Sequence, residues 1–378
     1  MEKALSGLCC LVTGAAGFLG KRIVLLLMEE DLAEIRVMDR SFSTDFLSMC
    51  EKFKKTASVK LLQGDIRDEE FLLSCCREVD LVIHAASVID TLGQISKDVL
   101  MAINVTGTQN LLEACVHNNV PYFIYTSSVE VVGPNSRGDP VFDGNENMVY
   151  ESKLNFPYGQ SKMLAEQSVL KANGRVLKDG GTLITCSLRP MYIYGEGSQF
   201  LQLHLDQAIL NNDVFHRQSR KEALVNPVYV GNVAWAHIQA ARALTDSERA
   251  KKIAGNFYYI SDDTPHLSYS DFNHTLGKEL GLGVEPRLVL PFPLLYFVAF
   301  LMEILSFVLK PVVTFVLPFN RHLLILVNTP FIFSYKKAQR DMEYTPRYSW
   351  MECKNFTATW IASALPVRKE VLNKKKQN

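Results

Sequence analysis

At 378 residues the chain exceeds what one hydrophobic core usually serves, so a main domain with a second region or a large appendage is expected. Lysine plus arginine and aspartate plus glutamate balance at 40 each, which leaves no electrostatic footprint for nucleic acid and no acidic solvating tail. The eight cysteines lie mostly in apolar stretches, and the adjacent pairs Cys9–Cys10 and Cys75–Cys76 lack the spacing of a zinc knuckle, so reduced core thiols and no metal site are expected.

The N-terminus, "MEKALSGLCCLVTG", lacks the basic and long apolar regions of a signal peptide. The run "LCCLVTGAAGFLGKRIVLLLMEE" then passes from a short apolar strand through Gly14, Gly17 and Gly20 into an amphipathic helix. A glycine turn of this kind lets backbone approach a pyrophosphate, and the first helical residues, Phe18 and Leu19, sit where free N–H groups and the helix dipole favour an anion. The next strand, "IRVMD", ends at Asp39, 19 residues past Gly20. A carboxylate there would bond the adenosine ribose hydroxyls and repel a 2′-phosphate, which favours NAD; Arg40 beside it would tolerate the phosphate, so the preference need not be absolute. Strands "VKLLQGDI", "VDLVIHAAS", "YFIYTSSVEVVG" and "TLITCSLRP" follow, alternating with helices. Such alternation predicts an α/β fold, a Rossmann-like doubly wound parallel sheet. Asp65 and Ile66 close the third strand, where they would flank the adenine. Ala85 and Ala86 close the fourth, where small side chains admit the cofactor, and His84 beside them reads as a packed strand-end histidine. Ligands in these sheets lie beyond the carboxyl ends of the strands, where all of these residues fall.

Two later stretches carry reactive groups. Ser128 in "YTSSVEVVG" lies near a strand end, where its hydroxyl would bond a substrate oxygen or cap a turn. In "PYGQSKMLAEQ", Tyr158 and Lys162 stand one helical turn apart on one face. A nearby cation favours phenolate, which would make Tyr158 a general base. Taken singly, each residue has an ordinary structural explanation; the ordered set of glycines, Asp39, Ser128, Tyr158 and Lys162 does not.

From Leu288 to Met302 there is no charge; Glu303 interrupts, and "ILSFVL" runs on to Lys310. The uncharged run of 15 residues is shorter than the ~20 that cross a bilayer. With "PVVTFVLPF" and "HLLILVNTPFIF" it forms an apolar insert that would serve as a membrane helix, an interfacial anchor or a roof over a greasy substrate. The closing "KKKQN" reads as a frayed basic tail, or as a short match to a di-lysine endoplasmic-reticulum retrieval signal.

These motifs resemble those of the extended short-chain dehydrogenase/reductase superfamily: "TGAAGFLG", "GDI", "NVTGTQNLLEA", "YTSSVEVVG" and "YGQSK". Within it, "SSVEVVGPNS", "RPMYIYGEGS", "NPVYVGNVAWAH", "YYISDDTPH" and "FSYKKAQRD" are similar to signatures of the 3β-hydroxysteroid dehydrogenase/Δ5–Δ4 isomerases, and the resemblance spans essentially the whole chain. Asn232 departs from the wider superfamily, where an aspartate is commoner; that weakens a reading as a sugar-nucleotide epimerase.

The resemblance implies a bifunctional enzyme of steroid hormone biosynthesis that oxidises a 3β-hydroxy-5-ene steroid with NAD and then moves the double bond to give the 4-ene-3-ketone. Tyr158 would take the hydroxyl proton as the C3 hydride passes to nicotinamide, with Lys162 tuning the phenol and holding the nicotinamide ribose. Ser128 would bond the oxygen, and Asn104 would support a water relay beside the cofactor. Isomerisation needs an acid/base that reaches C4 and C6. Glu130, two residues beyond Ser128 on a strand, would leave on the same face. Asp262 in "SDDTP" is the second candidate, although that motif is also an ordinary turn. The alternative is an NAD(P)-dependent sterol or sugar-nucleotide dehydrogenase/epimerase of the same fold without isomerase activity.

The expected organisation is an NAD-binding domain over 1–195, a smaller substrate-binding region over 196–286, an apolar membrane-associating insert over 287–334, and a C-terminal segment over 335–378 that packs back on the catalytic body. Since one crossing would strand that last segment across the bilayer, a monotopic or hairpin attachment is expected. The expected setting is the endoplasmic-reticulum membrane with the body on the cytosolic side, or a mitochondrial membrane, with a homodimer common on this fold.

Overall fold

The computed structural model describes residues 4–53, 58–135, 137–150, 156–309, 317 and 319–377. Seven strands make the main sheet: β1 (Cys9–Thr13), β2 (Glu34–Asp39), β3 (Val59–Gln63), β4 (Leu81–His84), β5 (Tyr122–Thr126), β6 (Ile184–Pro190) and β7 (Asn256–Ile260). They run parallel in the order β7-β6-β5-β4-β1-β2-β3. The order reverses direction between β1 and β4, the switch point at which such sheets open a crevice for ligand. β1 and β4 are buried along their whole length, as central parallel strands covered on both faces must be, whereas edge strand β3 is largely exposed.

Helix α1 (Phe18–Leu27) packs on one face of the sheet and α2 (Pro157–Ala172) on the other. Pro157 in the first turn of α2 suits a position where a missing N–H costs nothing. Two clusters outside the sheet complete the body. Helices α3 (Gln199–Leu210) and α5 (Tyr269–Gly277) pack with the C-terminal helix α8 (Trp350–Gln377) around Tyr194, Phe272 and Ile361. The second, smaller cluster joins α6 (Phe292–Leu309) to α7 (Arg321–Asn328) through Leu295, Ala299 and Leu324.

The structure redraws the expected boundaries in two places. Residues 196–286 do not form one separate region: β7 joins the main sheet, and α4 (Val230–Leu244), almost wholly buried, packs against α1. The sheet's edge is completed by chain that comes after the first substrate-side helix. The apolar insert is likewise divided. "PFIF" is apolar because it is interior: Phe331–Phe333 pairs with Val141–Gly144, and all three residues are buried. Among the described residues of the insert, α6 carries the apolar face that the fold does not cover, with Phe307 79% exposed. Its 18 residues are long and apolar enough to cross a membrane by length and composition. Residues 310–316 and 318, most of "PVVTFVLPF", lie outside the described residues. The chain re-enters the body at Asn320, whose side-chain amide donates to the Leu92 carbonyl at 2.9 Å, and Arg321 pairs with Glu303 at 2.8 Å.

Candidate active site

A cavity of about 1070 Å³ opens at the carboxyl ends of the strands. Gly14, Gly17, Phe18, Leu19, Gly20, Asp39, Arg40, Asp65, Ile66, Ala85 and Ala86 line one end of it. A Cβ on Gly20 would lie 2.0 Å from the Gly14 carbonyl oxygen, and one on Gly14 would lie 2.7 Å from backbone of Ala86. Gly14 also holds φ +67°. The turn therefore closes only with glycine, and it brings backbone N–H groups of the first α1 turn to the cavity, where a helix leaves its donors unspent. Asp39 is held by the turn it faces: its carboxylate accepts from the Ala16 N–H at 3.0 Å and from the Arg40 N–H at 2.7 Å. A rigid acidic strand end beside glycine backbone fits a dinucleotide whose adenosine ribose carries free hydroxyls. Asp65 is partly engaged by Arg67, whose guanidinium holds the carboxyl below its usual range.

Ser128, Glu130, Tyr158 and Lys162 line the middle of the same cavity. Lys162 Nζ donates to the Thr126 carbonyl at 2.7 Å and lies 4.4 Å from the centre of the Tyr125 ring. Burial pushes this lysine down to about 7, against the pull of Glu166 one turn further along α2. Burial also raises the Tyr158 phenol well above its ordinary value, Glu130 adds repulsion, and the Ser128 hydroxyl acts in the opposite sense. The spacing predicts that Lys162 tunes the phenol; the largest influence on Tyr158 here is its own desolvation.

Glu130 reaches the cavity by a route other than the expected strand. β5 stops at Thr126, and Ser128 caps a short 3-10 helix, Val129–Val132, with its hydroxyl accepting from the Glu130 N–H at 3.1 Å. A run with the alternation of a strand end is turned by its own serine. The capping bond uses the Ser128 oxygen as acceptor and leaves its hydrogen to donate.

Two predicted site residues lie elsewhere. Asn104 is not among the cavity-lining residues: it donates to Ser161 Oγ at 2.9 Å, and Ser161 in turn donates to the Tyr158 carbonyl at 2.7 Å. Its amide braces the first turn of α2, acting on Tyr158 through the backbone. Asp262 is buried beside the cluster around Tyr194 and saturated, accepting from the Tyr229 N–H at 2.9 Å, Asn232 Nδ2 at 2.8 Å and the Thr264 N–H at 3.0 Å. Its burial raises the carboxyl, and it does not line the cavity. The asparagine at 232 is explained by the same contacts: an aspartate there would set two buried carboxylates face to face. Asp263 accepts from the exposed Tyr335 hydroxyl.

His84 is the packed strand-end histidine its setting suggested. Thr108 donates its hydroxyl hydrogen to the Asn104 carbonyl, so His84 Nε2 donates to Thr108 at 2.9 Å and Nδ1 accepts from Thr13 at 2.6 Å. Burial takes this imidazole down to about 3.

The far end of the cavity sets an apolar roof over a mixed floor. Leu288, Val289 and Leu295 at the base of α6, and Leu323, Leu324 and Val327 of α7, roof it, Met191, Tyr192 and Tyr269 form a wall, and Gln199, His204, Gln207, Arg217, Gln218 and Asn273 add polar groups. Sequence reasoning singled out the roof as a greasy stretch without assigning its residues. It missed the wall, the polar groups and His322 behind Glu130, whose only signal was a histidine heading the apolar run "HLLILVN".

Solved structures of the same fold include gox2253, 26% identical over 94% of this chain and 98% of that one, with a TM-score of 0.69. An epimerase, Mth375, from Methanothermobacter thermautotrophicus is 18% identical over 97% and 96% of the two chains, with a TM-score of 0.71. The dTDP-glucose 4,6-dehydratase DesIV from Streptomyces venezuelae, solved with NAD and TYD, is 20% identical over 94% and 97%, with a TM-score of 0.69. The model of the 3-beta hydroxysteroid dehydrogenase/isomerase family matches residues 11–292. Family and cradle together make this an NAD-dependent enzyme of the dehydrogenase/epimerase kind. The chain belongs to the 3-beta hydroxysteroid dehydrogenase/isomerase family.

Proposed function

We propose that the protein oxidises the 3β-hydroxyl of a 5-ene steroid to the ketone and then isomerises the double bond to the conjugated 4-ene-3-ketone. The observation that carries this reading is the single cavity, in which a dinucleotide cradle and an apolar roof meet at Ser128, Glu130 and Tyr158. Its volume of about 1070 Å³ exceeds the roughly 300–1,000 Å³ of a site for one drug-sized ligand, which suits a cofactor and a four-ring substrate held together.

In this reading the glycine turn and the first turn of α1 hold the pyrophosphate of NAD, Asp39 its adenosine ribose and Lys162 its nicotinamide ribose. NAD supplies the hydride acceptor. Tyr158 takes the proton of the C3 hydroxyl, and Ser128, with its capping bond made through oxygen, donates its hydrogen to the substrate oxygen. Positioned proton transfer of this kind is worth about 10²–10⁴-fold in rate. Glu130, whose Oε2 is buried without a hydrogen-bond partner, is the carboxylate suited to carry a proton between C4 and C6. Asp262, fully bonded outside the cavity, is not.

The apolar face of α6 would lie on the membrane as a monotopic or hairpin anchor, its charged Glu303 engaged by Arg321. Its base at Leu288, Val289 and Leu295 opens on the cavity, which gives a lipid-dissolved substrate a short path. The basic C-terminal run is consistent with the cytosolic face of the endoplasmic reticulum or a mitochondrial membrane, and a homodimer with this fold's common habit.

A second reading, a sugar-nucleotide dehydratase like DesIV, would draw on Gln199, His204, Gln207 and Gln218 in the same lining, whereas the steroid reading draws on the Leu- and Val-rich roof. The test uses detergent-solubilised protein with NAD and a 3β-hydroxy-5-ene steroid such as pregnenolone. NADH and the conjugated ketone appear together, and Tyr158→Phe abolishes both. NADH without conjugated ketone would remove the isomerase half of the reading.

A further inference from the structure

We infer that His322 positions Glu130 for the isomerisation step, an inference that rests on the steroid reading above. His322 Nε2 lies 3.6 Å from Glu130 Oε2, just beyond hydrogen-bond distance, and both atoms are buried with no hydrogen-bond partner. The two residues are 192 positions apart in sequence and come from unrelated elements, the 3-10 turn after β5 and the first turn of α7. Leaving either buried atom unmatched is unfavourable, because the water it gave up is not replaced. A purely structural pair would have closed the gap or found other partners.

The two fully buried histidines show what a structural histidine looks like here. His84 spends both ring nitrogens on Thr13 and Thr108, and His237 spends both on Thr126 and the Val233 carbonyl. His322 instead leaves Nε2 facing a carboxylate at the cavity wall. Its ring is fixed by stacking on Phe156, 4.0 Å between centres and 6° from parallel. Phe156 is the residue immediately before α2, so the histidine is keyed to the helix that carries Tyr158. The other ionisable groups that feel Glu130 are the Tyr158 and Tyr269 phenols, both raised by burial first and by this carboxylate second. On the histidine's own helix, Arg321 is taken up by Glu303. His322 therefore gives Glu130 a nitrogen partner where phenols and apolar side chains otherwise surround it.

In the isomerisation Glu130 accepts the proton from C4, the C4–H pair becomes the C4=C5 bond, and the former C5=C6 bond takes a proton at C6. One C–H bond breaks and one forms, the carboxylate ends ionised as it began, and no oxidant is consumed. His322 holds Oε2 by an N–H bond while the other oxygen carries the proton, fixing the rotamer that spans both carbons. A short rotation closes 3.6 Å to a hydrogen bond, as in many sites that tighten only around substrate.

The experiment is a double-mutant cycle on full-length protein in detergent, with the 3-keto-5-ene steroid assayed for isomerisation alone and the 3β-hydroxy steroid for NADH. Glu130→Gln should lose isomerisation by at least about a hundredfold, with its melting temperature close to wild type. His322→Gln should lose roughly tenfold in the same step, with NADH formation within about threefold of wild type, and change the shape of the isomerase pH profile alone. Because His322 acts through Glu130, the double variant should be no worse than Glu130→Gln. Preserved NADH formation shows that His322→Gln folds, and an unchanged melting temperature shows it for Glu130→Gln and the double variant. Additive losses, equal loss of both steps in His322→Gln, or an unchanged isomerase rate would overturn the inference while leaving the function standing. A wild-type protein that forms NADH but does not isomerise the 3-keto-5-ene steroid would overturn inference and isomerase reading together.

Discussion

The two ends of the cavity are built on opposite principles. At the cradle, backbone makes the surface: glycines at 14 and 20 lie so close to their neighbours that a methyl group has no place, and the ligand would be met by N–H groups. At the roof, side chains make the surface, and α6 leans on α7 through a small apolar cluster of Leu295, Ala299 and Leu324. Backbone fixed by hydrogen bonds gives a rigid, chemically definite subsite. Aliphatic side chains on this helix pair give a subsite selective for shape and greasiness, with tolerance for variation. Between them lie the reacting groups, on elements anchored to the sheet: α2 is clamped by Ser161, Asn104 and Lys162 to strands and turns on the cradle side.

The largest effect expected on this contrast comes from the middle. Tyr158→Phe should reduce NADH formation by about 10²–10⁴-fold and leave the melting temperature close to wild type, checked by steady-state kinetics and calorimetry. Next is the buried network under α2, where Arg189 donates to Glu166 at 3.0 Å, Ser187 adds a bond at 2.7 Å, and the guanidinium lies 3.5 Å from the Phe257 ring centre. Arg189→Met strands a buried carboxylate and should destabilise by about 3–5 kcal/mol in denaturant unfolding. If it does not, the rigidity attributed to the cradle side is misplaced.

Lys162 supplies a pH signature. Its folded value is lowered to about 7, below its unfolded value of about 10.4, so between these the unfolded chain binds more protons and stability rises with pH. Melting temperatures across that window should lose this rising component in Lys162→Met. Asn232→Asp should cost about 1–3 kcal/mol at neutral pH by facing Asp262 with a second buried carboxylate, with NAD affinity unchanged. The smallest effect on the folded body and its turnover is expected at the roof's outer surface. Phe307→Ser should weaken association with vesicles by about 1.5–3 kcal/mol and leave turnover in detergent unaltered. Lost turnover in detergent would mean that α6 shapes the cavity well beyond its base.

The same contrast explains what could be read from the sequence. The cradle is local: Gly14, Gly17, Gly20 and Asp39 follow one strand–helix–strand unit, so spacing alone exposed it, and Tyr158 and Lys162 shared one helix. Everything assembled across long separations was hidden. No local pattern says that "NFYYI" is the seventh sheet strand or that His322 faces Glu130. Asp262 misled because a short acidic turn looks the same whether its carboxylates face substrate or, as here, the backbone of Tyr229 and Thr264. Asn104 was placed beside the cofactor by its order in the chain, and its bonds run both to Ser161 and to the cavity-lining Ser87 and Val88. "PFIF" read as membrane-seeking because hydrophobicity marks burial without naming what does the burying.

The central claim is that one cavity joins a dinucleotide to an apolar alcohol. It is tested most directly by supplying the solubilised protein with NAD and, in parallel, a 3β-hydroxy-5-ene steroid or a nucleotide sugar, and following NADH and product. The account predicts NADH and conjugated ketone from the steroid, and no turnover of the nucleotide sugar. Conversion of the nucleotide sugar with the steroid left untouched would contradict it.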